Sequence, residues 1–169
     1  SLLAFAAGCS SAADENVDQS EGHVEASVLV YDHDAAQPML TVEAAESKRI
    51  IEKLFPAGSA KIVDQCVDME TPAIIPSVDG KLAGSFTSGG RNETLYVVSV
   101  WDCQSGHADG NGTTKFVVTE PLKSSGAEVK ILANAEQQGV AVGVNRILDL
   151  DKDGQNELVI TSGYTGQGI

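Results

Sequence analysis

From residue 80 onward the chain is cut into short runs of strand-forming residues by clusters of Gly, Ser, Asn and Asp. The runs are 94–101 (TLYVVSVW), 115–119 (KFVVT), 127–133 (AEVKILA), 140–148 (VAVGVNRIL) and 157–161 (ELVIT). β-Branched and aromatic side chains suit a pleated surface, and the small polar residues between them suit turns. No second helical pattern interrupts these runs, so this half is predicted to be antiparallel β. The first half reads differently. Residues 23–31 (HVEASVLVY) suggest a strand. Residues 41–55 (TVEAAESKRIIEKLF) suggest one helix, with Thr41 as its cap and an apolar face of Val42, Ile50, Ile51, Leu54 and Phe55. Pro56-Ala57-Gly58 stops it. Pro72 and Pro76 bracket Ala73-Ile74-Ile75, which is at best an edge strand. The chain therefore reads as mainly β with one helix near the N-terminus, α+β overall.

Composition bounds what such a fold can bind. Hydrophobic residues make up 42% and charged residues 21%, enough for a packed core. The net charge of -13 leaves no excess of cations to displace counterions from a phosphate backbone, which argues against nucleic acid as a partner. No apolar run reaches the ~18 residues of a membrane-spanning helix.

One loop carries chemistry. Asp149, Asp151 and Asp153 alternate, Gly154 follows, and Glu157 stands at position 9. A hard cation such as calcium takes six to eight oxygens, several of them charged. Alternating Asp residues in a tight loop can turn three carboxylates toward one point. Gly154 permits the sharp turn, the Gln155 carbonyl can add an oxygen, and Glu157 can close the far side. The loop is not an EF-hand, which needs an acidic residue at position 12, here Ile160, and a helix on each side. An earlier nonapeptide, Ser85–Glu93, overlays it at a spacing of 64 residues (93 to 157). Gly90 falls on Gly154, Asn92 on Asn156, Glu93 on Glu157 and Phe86 on Leu150. Ser85, Thr87 and Gly89 stand where the Asp residues would be, so the first copy is expected to keep the turn without the metal.

The pattern Asp149-x-Asp151-x-Asp153-Gly154-x-x-Glu157 resembles the calcium loops of FG-GAP and VCBS repeats, the blades of integrin-type β-propellers. The resemblance covers about half the chain. It implies one degenerate blade over about 80–134, the opening of a second over about 140–169, and Ca2+ held by Asp149, Asp151, Asp153, Gln155 and Glu157.

The N-terminus carries a second resemblance. Ala6-Ala7-Gly8-Cys9 follows a short apolar stretch and is similar to the lipobox of bacterial lipoproteins. Residues 10–22 (SSAADENVDQSEG) cannot bury enough apolar surface to order themselves and read as a tether. The resemblance implies that residues 1–8 are processed away and that Cys9 is acylated. It also implies attachment to the cell envelope, the outer membrane or cell surface. Cys66 and Cys103 are then an even pair beside strand-like segments, expected to form a disulfide in an oxidising compartment, with two free buried thiols as the alternative. Trp101 is expected to pack in the core against them.

The expected organisation is a signal-peptide tail and lipobox (1–9), a tether (10–22), an α+β segment (23–79) and β repeats (80–169). No nucleophile elbow, zinc-protease motif, P-loop or dinucleotide fingerprint occurs. His23, His33 and His107 gather no partner cluster. The expected function is non-enzymatic, an envelope-anchored, calcium-stabilised β domain for binding or adhesion to a protein or carbohydrate. The alternative is an envelope enzyme or carbohydrate-active accessory protein that uses the repeats as scaffold.

Overall fold

The computed structural model describes residues 39–67, 72–104, 112–124, 126–139 and 142–162. Cys9, the tether, the strand expected at 23–31 and all three histidines lie outside them.

A single helix among the described residues, α1 (Ala44–Leu54), lies on one face of an antiparallel sheet. Its N-terminal boundary residue is Glu43, in extended backbone, with no side-chain capping bond. Thr41 therefore does not cap it. Helical dihedrals begin only at Ala44, which leaves Thr41 too far upstream to reach the first free N–H groups. The helix stops at Pro56, and Gly58, at φ +87°, makes the turn beyond. Ile50 is its fully buried residue, with Val42, Leu54 and Phe55 packed around the same cluster.

The sheet contains β1 (Ile74–Gly84), β2 (Glu93–Asp102), β3 (Gly112–Thr119) and β4 (Ile131–Gln138), paired antiparallel in that order. Strands β5 (Val142–Leu148) and β6 (Glu157–Ser162) form a separate antiparallel hairpin. The sheet is not closed into a barrel.

Strand β2 explains its own sequence. Tyr96, Val98 and Val100 face the helix, where they meet Ile50, Val117 and Val129. Leu95 and Val97 face the other way, joining Leu82, Phe116 and Val118. Val144, with Ile147, Leu158 and Ile160, covers that second face. A strand buried on both faces needs apolar residues without alternation, which is the run Leu95–Val98. Each fully buried side chain of this kind contributes roughly 1.5–3 kcal/mol.

Strand β4 begins later than its composition suggested, at Ile131 rather than 127. The Ala127 N–H donates instead to the Ser124 carbonyl, and Arg49 of the helix donates to the carbonyls of Ser124 and Ala127. The polar tail of β4, Asn134 to Gln138, pairs with β3 because alternate residues face solvent.

β1 is an edge strand, and Pro76 lies in it. The Ile74 N–H donates to Lys61 and its carbonyl accepts from Val63 N–H, so Ile74 faces away from β2. By alternation Pro76 also faces outward, where a missing N–H costs no ladder bond. A bulge at Asp79 follows. Lys81 then exchanges both backbone bonds with Leu40. The outer edge of β1 is thus occupied at both ends and interrupted between them.

Cys66 and Cys103 form a disulfide with a Cα–Cα distance of 5.4 Å. Trp101 is not core as expected. Its position at the end of β2, opposite Gly112, leaves it 42% exposed.

Candidate metal centre

The loop between β5 and β6 is closed at its base by the pair Leu148↔Glu157. Inside it the backbone makes two left-handed excursions, at Lys152 (φ +63°) and Gly154 (φ +85°). These fold the loop tightly enough for its carboxylates to meet its own N–H groups. Asp149 Oδ2 accepts from Gly154 N–H at 3.1 Å, Asp151 Oδ1 from Asp153 N–H at 3.2 Å, and Asp153 Oδ1 from Gln155 N–H at 2.7 Å. The last two are bonds from Asp to backbone two residues on, and the first reaches five residues across the loop.

Asp149, Asp151 and Asp153 each bring a carboxylate oxygen within 4.8 Å of the other two, and all three are exposed. Two ligands on opposite sides of one calcium ion stand about 4.6–5.2 Å apart, given Ca–O distances of 2.3–2.6 Å. The gathered oxygens fit around one such ion. Like charges this close repel one another, and a divalent cation would relieve that repulsion.

The other residues singled out in the loop are placed differently. The Gln155 side chain donates its amide to Asp153 Oδ2. Glu157 turns back along the loop, where its Oε2 accepts from Leu150 N–H at 2.8 Å. The structure brings together the three Asp residues and sets Glu157 to hold the loop backbone.

The loop between β1 and β2 lies directly beside this one. Ser85 N–H donates to Asn156 Oδ1 at 2.7 Å, and Asn156 N–H donates back to the Ser85 carbonyl at 2.6 Å. Gly89 packs so close that a Cβ there would stand 2.9 Å from the Asp153 carbonyl oxygen. The two loops match at three points, although the first has no counterpart of the left-handed Lys152. Gly90 (φ +74°) and Gly154 (φ +85°) turn at equivalent points. Glu93 Oε2 accepts from Phe86 N–H at 2.7 Å, as Glu157 does from Leu150. The base pairs Gly84↔Glu93 and Leu148↔Glu157 also correspond.

The chemistry of the first loop is opposite. Glu93 is only 1% exposed. Its Oε2 also accepts from Thr87 N–H at 2.8 Å, its Oε1 from the Thr87 hydroxyl, and Arg91 Nε lies 3.6 Å away. Burial pushes the Glu93 carboxyl up, but the bonds from Thr87 and Phe86 and the charge of Arg91 outweigh it and hold it below the usual range.

A second polar cluster joins helix to sheet and has no local signature in the sequence. Glu46 bonds Lys81 Nζ at 2.7 and 2.8 Å and accepts from the Tyr96 hydroxyl at 2.5 Å. Burial raises the Glu46 pKa, yet Lys81 and Tyr96 together lower it below the ordinary value. Burial and the adjacent Glu46 push the Tyr96 hydroxyl well up. The cluster is internally satisfied and docks α1.

No protein-family model matches this chain, and no curated protein and no solved structure matches it at a significant level.

Proposed function

We propose that residues 80–169 form a calcium-braced β domain of blade-like repeats within an exported protein anchored to the cell envelope through Cys9. Its role is binding or adhesion to a protein or carbohydrate rather than catalysis. The convergence of Asp149, Asp151 and Asp153 supports this reading most directly. In it those three residues supply charged oxygens, the Gln155 carbonyl supplies a neutral one, and Glu157 completes the loop. The ion neutralises the gathered carboxylates and fixes the β5–β6 turn against its neighbour. In this reading the ion acts as a brace, with water completing its shell of six to eight oxygens.

The test is thermal unfolding during calcium titration. The wild-type midpoint should rise with millimolar calcium and fall back with chelator, while Asp151→Ala should show no rise. A wild type indifferent to calcium overturns the metal reading. Labelled palmitate on the exported protein, present in wild type and absent in Cys9→Ala, tests the anchor independently.

A further inference from the structure

We propose that the Cys66–Cys103 disulfide is a reducible latch that holds residues 61–67 along the outer edge of β1, opened by thiol attack at Cys66. The segment's sparse attachment and the unequal access of its two sulfurs carry it.

The segment is attached at few points. Among the described residues, its backbone bonds to the sheet are those at Ile74, and its covalent tie is the disulfide. Val63 is half-buried, while Lys61, Ile62, Asp64, Gln65, Cys66 and Val67 are exposed. Neither hydrophobic cluster contains any of these residues. A pocket of about 30 Å³ separates the segment from the sheet, lined by Val63, Val67, Ala73 and Cys103 among others. Space behind an exposed segment means few dispersion contacts to replace the covalent tie when it opens.

The two sulfurs are unequal in access. Cys103 is 4% exposed and fixed by its N–H to the Ala73 carbonyl at 3.0 Å, whereas Cys66 is exposed. Exchange proceeds by thiolate attack on the reachable sulfur. The thiolate of a dithiol reductant bonds to Cys66 Sγ, the Cys66–Cys103 bond breaks, and Cys103 leaves as a thiolate that takes up a proton. The reductant's second thiolate then attacks its own sulfur in the mixed disulfide. That releases Cys66 as a thiolate, which is protonated in turn. Two electrons pass to the protein, and the reductant ends as a disulfide.

The consequence is local. Reduction detaches residues 61–67 and exposes the outward N–H and C=O of Ile74, while both core clusters keep their contacts.

The full chain with Cys9→Ser, which removes the third thiol, is treated with a dithiol oxidoreductase whose resolving cysteine is replaced by serine. Peptide mass spectrometry should find the trapped mixed disulfide on Cys66. Trapping on Cys103, equal trapping on both, or no trapping under conditions that reduce the bond overturns the proposal. Amide exchange is then compared with and without reductant. Val63 and Ile74 should exchange at least tenfold faster when reduced, with Leu95, Val97 and Val117 unchanged. Unchanged exchange at Ile74, or loss of protection throughout β2 and β3, overturns it. These measurements use wild-type cysteines at 66 and 103, so they do not depend on a Cys66→Ala variant folding.

Discussion

The β1–β2 and β5–β6 loops share a turning glycine and a closing glutamate, although only the second also turns left-handed at Lys152, and they hold their charge in opposite ways. The first internalises its charge. Glu93 sits inside the turn, takes three donors from Phe86 and Thr87, and leaves its remaining charge to Arg91. The second exposes its charge, keeping Asp149, Asp151 and Asp153 on the rim with their oxygens converging. A buried carboxylate with donors is a self-sufficient staple. Exposed converging carboxylates are a staple only when something neutralises them. The turning glycine and the closing glutamate are common to both loops, and the remaining positions decide where the counter-charge comes from.

The largest effect should come from the first loop. Glu93→Ala strands two N–H groups and a hydroxyl in a half-buried turn, at a cost of about 3 kcal/mol, read by urea unfolding. In a chain this size that lowers the melting midpoint by roughly 10 °C. A loss below about 0.5 kcal/mol would mean that the first loop does not depend on its internal carboxylate. Calcium should come next. At about one hundred times its dissociation constant it should stabilise wild type by about 2.7 kcal/mol, and the same addition to Asp151→Ala should do nothing. Gly89→Ala follows, at roughly 1–2 kcal/mol, because its Cβ would press on the Asp153 carbonyl of the neighbouring loop. Replacing Asp149, Asp151 and Asp153 together by Ser, Thr and Gly, the residues of the first loop, should have the smallest effect. In chelator its stability should stay within about 1 kcal/mol of wild type, and calcium should no longer alter it.

Acid separates the loops in another way. The Glu93 carboxyl lies below its unfolded value, so its contribution is present above that value, about pH 4.3. That contribution is lost as pH falls through the folded value. Glu46 acts in the same direction at the helix. Stability measured from pH 6 downward should hold to about pH 5 and then fall, and Glu93→Gln should flatten the fall. A fall of equal steepness in Glu93→Gln would remove Glu93 as its source.

How much of this was legible in the sequence depends on distance along the chain. The Asp149–Glu157 loop is contiguous, so its spacing could be read directly. Strand β2 was legible because burial on both faces leaves an unbroken apolar run. Strand β4 was misplaced by several residues, since its paired segment is polar and the apolar Val129 before it serves the helix-side core from outside the strand. Thr41 looked like a cap because it has the right chemistry, but the helix begins after it. The Glu46–Lys81–Tyr96 cluster and the Ser85–Asn156 clasp join residues 35 to 71 positions apart, and no local pattern marks them. An aromatic beside a cysteine suggests core, whereas Trp101 stands at the end of β2, opposite Gly112, and is largely exposed.

The outer side of β1 has a consequence for assembly. Indefinite stacking of sheets requires each unit to offer two reactive sides, one to accept a strand and one to pass the pattern on. With Leu40 and Ile62 bridged to its ends, Pro76 lacking a donor and Asp79 out of register, β1 offers none. Among the described strands of this sheet, that leaves β4 as the side from which growth could start. Two copies joined there would turn their sealed sides outward, so that association would terminate at a pair instead of propagating into a fibre.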